Sequence, residues 1–85
     1  MNMANDGLPG MKSLIEYIAR SLVDDPIEVR VTERSSRGDV QLELEVAPED
    51  MGRVIGRSGK VASAMRMLLR VAAVKRGARA TLDIR

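Results

Sequence analysis

Apolar residues recur along this 85-residue chain with two different periods, and the changes of period divide it into elements. From Lys12 onward, Leu14, Ile15, Ile18, Ala19, Leu22 and Val23 fall at spacings of three and four, which predicts an amphipathic helix with one buried stripe. Asp24-Asp25-Pro26 closes it, because proline cannot continue the helical ladder. The period then drops to two. Ile27, Val29 and Val31 alternate with Glu28, Arg30 and Thr32, and after Ser35-Ser36-Arg37-Gly38-Asp39 the alternation resumes as Val40, Leu42, Leu44 and Val46. Two half-buried strands joined by a short loop are expected, a hairpin.

Pro48 suits the first turn of a helix, Glu49 and Asp50 suit its positive end, and Gly52 and Gly56 keep it short, over residues 48 to 55. Residues 60 to 75 are helical again, with Val61, Ala64, Met65, Leu68, Val71 and Ala72 on one face and Ser63, Arg66 and Arg70 on the other. Gly77 stands where a helix C-cap glycine belongs. Ala80, Leu82 and Ile84 then alternate with Arg79, Thr81 and Asp83 as a third strand. The order is helix, strand, strand, helix, helix, strand. A three-stranded sheet with one apolar face is the only partner for three helical stripes, so the helices are expected on one side of an α+β two-layer sandwich. Residues 1 to 10 hold Asn, Asp, Gly and Pro without periodicity and read as a flexible N-terminal segment, leaving residues 11 to 85 as one domain.

Composition narrows the chemistry. Cysteine and histidine are both absent, which removes thiolate metal sites and the commonest general acid/base. No enzyme, cofactor, metal site or small-molecule substrate is expected. The carboxylate pairs Asp24-Asp25 and Glu49-Asp50 sit at helix ends, where capping and the helix dipole account for them. Nothing approaches the ~18 apolar residues of a membrane span, and residues 1 to 10 lack a signal-peptide pattern, so a cytoplasmic location and no membrane partner are expected. Tyr17 is the lone aromatic, so nucleic-acid binding by stacked aromatic platforms is excluded.

Charge changes the picture more. Residues 1 to 50 carry 5 Lys/Arg against 11 Asp/Glu, whereas residues 51 to 85 carry 9 against 1, so a net −6 faces a net +8. Such a field collects polyanions at its basic end, or else pairs with the acidic half of the same molecule. The outward residues of the second strand, Gln41, Glu43 and Glu45, repel phosphate from that part of the open sheet.

The basic half contains Val54-Ile-Gly-Arg-Ser-Gly-Lys60. A Walker-type loop fails here, because Val54 stands where its first glycine belongs and Val61 where its hydroxyl belongs. The dinucleotide fingerprint fails on Val54 as well. What remains is G-x-x-G between two helices. Gly56 and Gly59 let the backbone turn sharply and admit a close sugar-phosphate chain, Arg57 and Ser58 offer a charge and a hydroxyl, and the helix starting at Lys60 points its amides to the same place. Arg53 adds positive charge one turn earlier. A plain helix-turn-helix corner would contain the same glycines.

With this motif inside this element order, the chain resembles a KH domain in its type II arrangement. Residues 11 to 26 and 46 to 56, MKSLIEYIARSLVDDP and VAPEDMGRVIG, are similar to the small single-domain bacterial KH proteins of the KhpA type, and the resemblance covers residues 11 to 85. It implies that Gly56 to Gly59 clamp the backbone of about four single-stranded nucleotides. Carried onto this sequence, Arg57, Ser58 and Lys60 would hold phosphates, and Ile55 and the apolar residues near Ala62 would line the base groove, with Arg53 counted among the RNA contacts for its charge beside the loop. Ala62 departs from the bulky aliphatic usual there. Arg34 and Arg37, in what resembles the variable loop, would stand on the far wall of that groove, or serve only solubility; Arg66 and Arg70, as a lone pair four residues apart, read first as a solvated helix face and would otherwise extend the phosphate path. The resemblance further implies single-stranded RNA as partner and post-transcriptional control linked to cell elongation and division. It also implies a homodimer or a heterodimer with a larger Jag-type KH protein, through the surface of the glycine loop and its helices.

Overall fold

The computed structural model describes residues 10–85. The flexible segment expected over residues 1 to 10 lies outside the described residues, apart from Gly10. That glycine opens α1 (Met11–Leu22), its carbonyl accepting the Leu14 amide at 3.0 Å. Met11, Ile15 and Ala19 are buried one turn apart, and Ile18 and Val23 pack beside them.

The two periods resolve into β1 (Arg30–Ser36), β2 (Asp39–Glu45) and β3 (Arg79–Ile84), with a short helix α2 (Met51–Ile55) and a long one, α3 (Lys60–Lys75), between β2 and β3. A single 3-10 turn, Pro48–Asp50, leads into α2. The order α-β-β-α-α-β and the three-stranded sheet are those of a type II KH fold. β2 is central, antiparallel to β1 and parallel to β3. The register sets Val31 beside Leu44, Leu42 beside Leu82 and Val40 beside Ala80. Because side chains alternate across a strand, this places the apolar set on one face. There it meets Ile15 and Ala19 of α1, Val54 of α2 and Met65, Leu69 and Ala73 of α3 in one core.

Three expectations need correction. Ile27 is 88% exposed and lies in a 3-10 turn, Pro26–Glu28, not in a strand. Proline starts this turn and the Glu28 and Val29 amides close it onto Asp25 and Pro26, so alternation begins only at Val29. The loop expected at residues 35 to 39 shrinks to Arg37-Gly38. Both have positive φ, 50° and 83°, the mark of a type I′ turn whose twist suits the flanking strands. Arg34 is therefore within β1, opposite Gln41.

The third concerns α3. Its buried residues are Ala62, Met65, Leu69 and Ala73, while Met67, Leu68, Val71 and Val74 are exposed. The helix is turned about 100°, one residue's step, from the expected orientation. Apolar residues surround much of it, so periodicity alone did not single out the packed side. Its C-terminus ends as expected: Gly77 has φ 68°, with Ala78 N–H donating to Ala73 C=O and Gly77 N–H to Val74 C=O, a Schellman motif.

Candidate nucleic-acid interface

The glycine loop departs from ordinary helical geometry in three of its four residues. Gly56 (φ 78°, ψ 170°) occupies a region essentially closed to side chains, and Ser58 (φ 55°, ψ 27°) and Gly59 (φ 74°, ψ 16°) are left-handed. Arg57–Gly59 forms a single 3-10 turn, closed by the Gly59 amide on the Gly56 carbonyl at 3.1 Å. The two glycines serve different needs. A Cβ on Gly56 would strike the Val61 side chain and sit 2.8 Å from the Val61 nitrogen, so the loop folds tightly over α3. A Cβ on Gly59 meets nothing within 4 Å, and only the sign of φ favours glycine there.

Arg57, Ser58 and Lys60 are exposed, and Ile55, Gly56 and Gly59 are half-buried, so all six keep some surface at the loop. α3 starts at its edge with no side-chain cap and no acidic residue in its first turn. An uncapped N-terminus of a four-turn helix, flanked by two cations, attracts an anion.

Two residues assigned to this surface are placed differently. Arg53 is committed elsewhere: its Nη2 donates to Asp24 Oδ2 at 2.8 Å and its Nε to Asp50 Oδ1 at 3.2 Å. Its charge is largely answered by these carboxylates. Ala62 is only 3% exposed, because the rotation of α3 turns it to the core and away from the surface.

Asp50 holds this arrangement together. Rather than capping its own helix, as its position suggested, it reaches the segment after α1, accepting the Asp24 and Asp25 amides at 3.1 Å each. It is 2% exposed and is the buried charged residue among those described. Removing it would leave two part-buried amide hydrogen bonds unmade, each contributing about 1 kcal/mol net. No local pattern identified this long-range role.

Beyond the loop, Arg66, Leu69 and Arg70 of α3 and Ala80, Thr81 and Leu82 of β3 line a shallow furrow. Arg66 is anchored there, its Nε and Nη2 both donating to the Leu82 carbonyl on the sheet edge, at 3.2 and 3.1 Å. Arg34 and Arg37 do not line this furrow. They border a depression on the opposite face of the sheet with Ser36, Asp39 and Gln41, because the turn is too short to reach round to the helices. Arg79, which the alternation of β3 set outward, was not singled out from sequence; it stands beside Asp39 on that face.

Among the described residues no cluster of three or more Asp or Glu side chains is placed to hold a metal, and no helix is long and apolar enough to cross a membrane.

A family model described as KhpA/KhpB, KH domain, matches residues 12–84. The chain belongs to this KH-domain family. It is 51% identical over 74 residues to a protein of Clostridium acetobutylicum named RNA-binding protein KhpA, covering 87% of this chain and 99% of the relative. A namesake from Treponema pallidum is 48% identical over 73 residues (86% and 91%), and one from Aquifex aeolicus 39% over 77 residues (91% and 98%). No solved structure matches the chain significantly.

Proposed function

We propose that the chain is a non-catalytic, single-stranded RNA-binding protein that grips the phosphate backbone at Gly56–Gly59. The observation that carries this reading is the loop itself: three residues in positive-φ conformations that bend the chain sharply, with Arg57, Ser58 and Lys60 exposed at an uncapped helix start. The relatives named as RNA-binding proteins support the same ligand. Binding is mainly electrostatic and weakly selective among sequences, because phosphates carry no base identity. Arg53 serves this site as a brace, and the cellular role is post-transcriptional control connected with elongation and division in the cytoplasm.

The test replaces Arg57 and Ser58 by Asp and keeps both glycines. Both side chains are exposed, so thermal unfolding should change little, while affinity for a single-stranded oligouridylate should fall below detection by fluorescence anisotropy. A folded double variant that binds like the parent refutes the clamp.

A second reading, pairing with another copy or with a larger Jag-type KH protein, is favoured by a different observation: the uncovered apolar stripe Met67, Leu68, Val71 and Val74 on α3. Unpartnered apolar side chains at helical spacing suit a helix-to-helix contact. Arg70 borders both the furrow and the stripe, and the two readings are compatible.

A further inference from the structure

The basic surface continues past the furrow. Thr81, which lines the furrow between α3 and β3, also lines a depression on the open face of the sheet with Asp39, Gln41 and Arg79. Asp39 and Gln41 in turn border the depression of Arg34, Ser36 and Arg37. The strand register explains this continuity, since Arg34, Gln41 and Thr81 form one outward row across the sheet and Ser36, Asp39 and Arg79 the next. Three arginines thus surround one carboxylate, Asp39. Among the described residues none of the three makes an ion pair.

The rest of that face has the opposite character. Glu43, Glu45 and Asp83 lie toward the other end of the strands, with Arg85 bridging Glu43 at 3.1 Å and Asp83 at 3.3 Å, and Arg30 opposite Glu45. Phosphate is repelled from the carboxylate end and drawn to the hairpin end. Arg37 itself occupies a positive-φ turn position where Asn, Asp or Gly is the easier residue, so a cation stands at the tip in spite of its conformational cost.

We infer that an RNA strand held at Gly56–Gly59 continues along the α3–β3 furrow and crosses the edge strand at Thr81. Its further phosphates then lie against Arg79, Arg34 and Arg37 on the open face of the sheet. This rests on the reading of the loop as an RNA clamp and extends it to a second phosphate site on the other side of the molecule. From Lys60 to Arg70 alone the path is about 15 Å by helical rise, and the second site lies beyond it across β3, so occupying both sites at once takes a longer strand than the loop and furrow alone.

The experiment compares oligouridylates of about 4 and about 12 nucleotides, the shorter matching the clamp. With Arg34→Glu/Arg79→Glu, affinity for the longer probe should fall about ten-fold or more at moderate salt, while the shorter probe binds within about two-fold of the parent. The control Lys12→Glu/Arg30→Glu makes the same charge change on α1 and at the far end of β1, and should weaken the longer probe far less. Arg34→Gln/Arg79→Gln, checked by circular dichroism, gives the same ordering with a smaller loss and covers any misfolding of the charge-reversed protein. Equal losses in test and control, or a longer probe indifferent to both Arg34/Arg79 variants, overturn the second site and leave the clamp standing. If the parent protein binds neither probe, the clamp fails and the second site with it.

Discussion

Gly56 and Gly59 look equivalent in the motif and are not equivalent in the fold. Gly56 combines a backbone conformation reserved for glycine with a collision against Val61, whereas Gly59 is an open left-handed position like that already held by Ser58. Gly59→Ala should therefore cost about 1 kcal/mol of stability, and Gly56→Ala on the order of 3 kcal/mol. Urea unfolding of the two variants checks this, and equal midpoints would refute it. The sequence marked both glycines because spacing is local. Their separate roles were not legible, since the atom that excludes a Cβ at Gly56 belongs to the helix after the turn. Asp50 is a similar case: its partners are amides about 25 residues earlier in the chain, a separation no window of periodicity spans.

At the scale of elements, α3 shows how a pattern can be read correctly as a helix and still be oriented wrongly. Its bounds match those expected, yet the buried side is set by Ala62, Met65, Leu69 and Ala73. Two of these four are alanines, which let the helix backbone approach its neighbours closely. Leu68 and Leu69, adjacent in sequence, therefore differ sharply, at 49% and 1% exposed. Leu69→Ala should destabilise the domain by about 2–5 kcal/mol, and Leu68→Ala by less than about 1 kcal/mol in the monomer. Thermal melts at low protein concentration decide between this orientation and the one expected from periodicity. If the exposed stripe is a pairing surface, Leu68→Glu should shift light-scattering mass toward the monomer without lowering the melting point of the isolated domain.

For the molecule as a whole, the opposed charges of the two halves are only partly joined by folding. Arg53 meets Asp24 and Asp50, and Arg85 meets Glu43 and Asp83. Arg57, Lys60, Arg66 and Arg70 make no ion pair among the described residues and follow the loop and furrow. Four phosphate contacts to a single strand give a slope of about −3 in log affinity against log salt, roughly a fifty-fold loss between about 50 and 200 mM. Anisotropy titrations over that range with a short oligouridylate measure it, and a slope near zero would show that the basic half does not bind phosphate directly.

The sequence by itself determined the element order, the inward alternation of the strands, the C-cap at Gly77 and the basic glycine turn ahead of α3, because each depends on neighbours within a few residues. Only the tertiary structure decided which side of α3 is buried, that Ile27 lies outside the strand, that Asp50 ties α2 to the end of α1, and that Arg34, Arg37 and Arg79 share a face. These depend on contacts between segments distant in the chain, whose free energy of packing and hydrogen bonding outweighs the local preferences that a sequence displays.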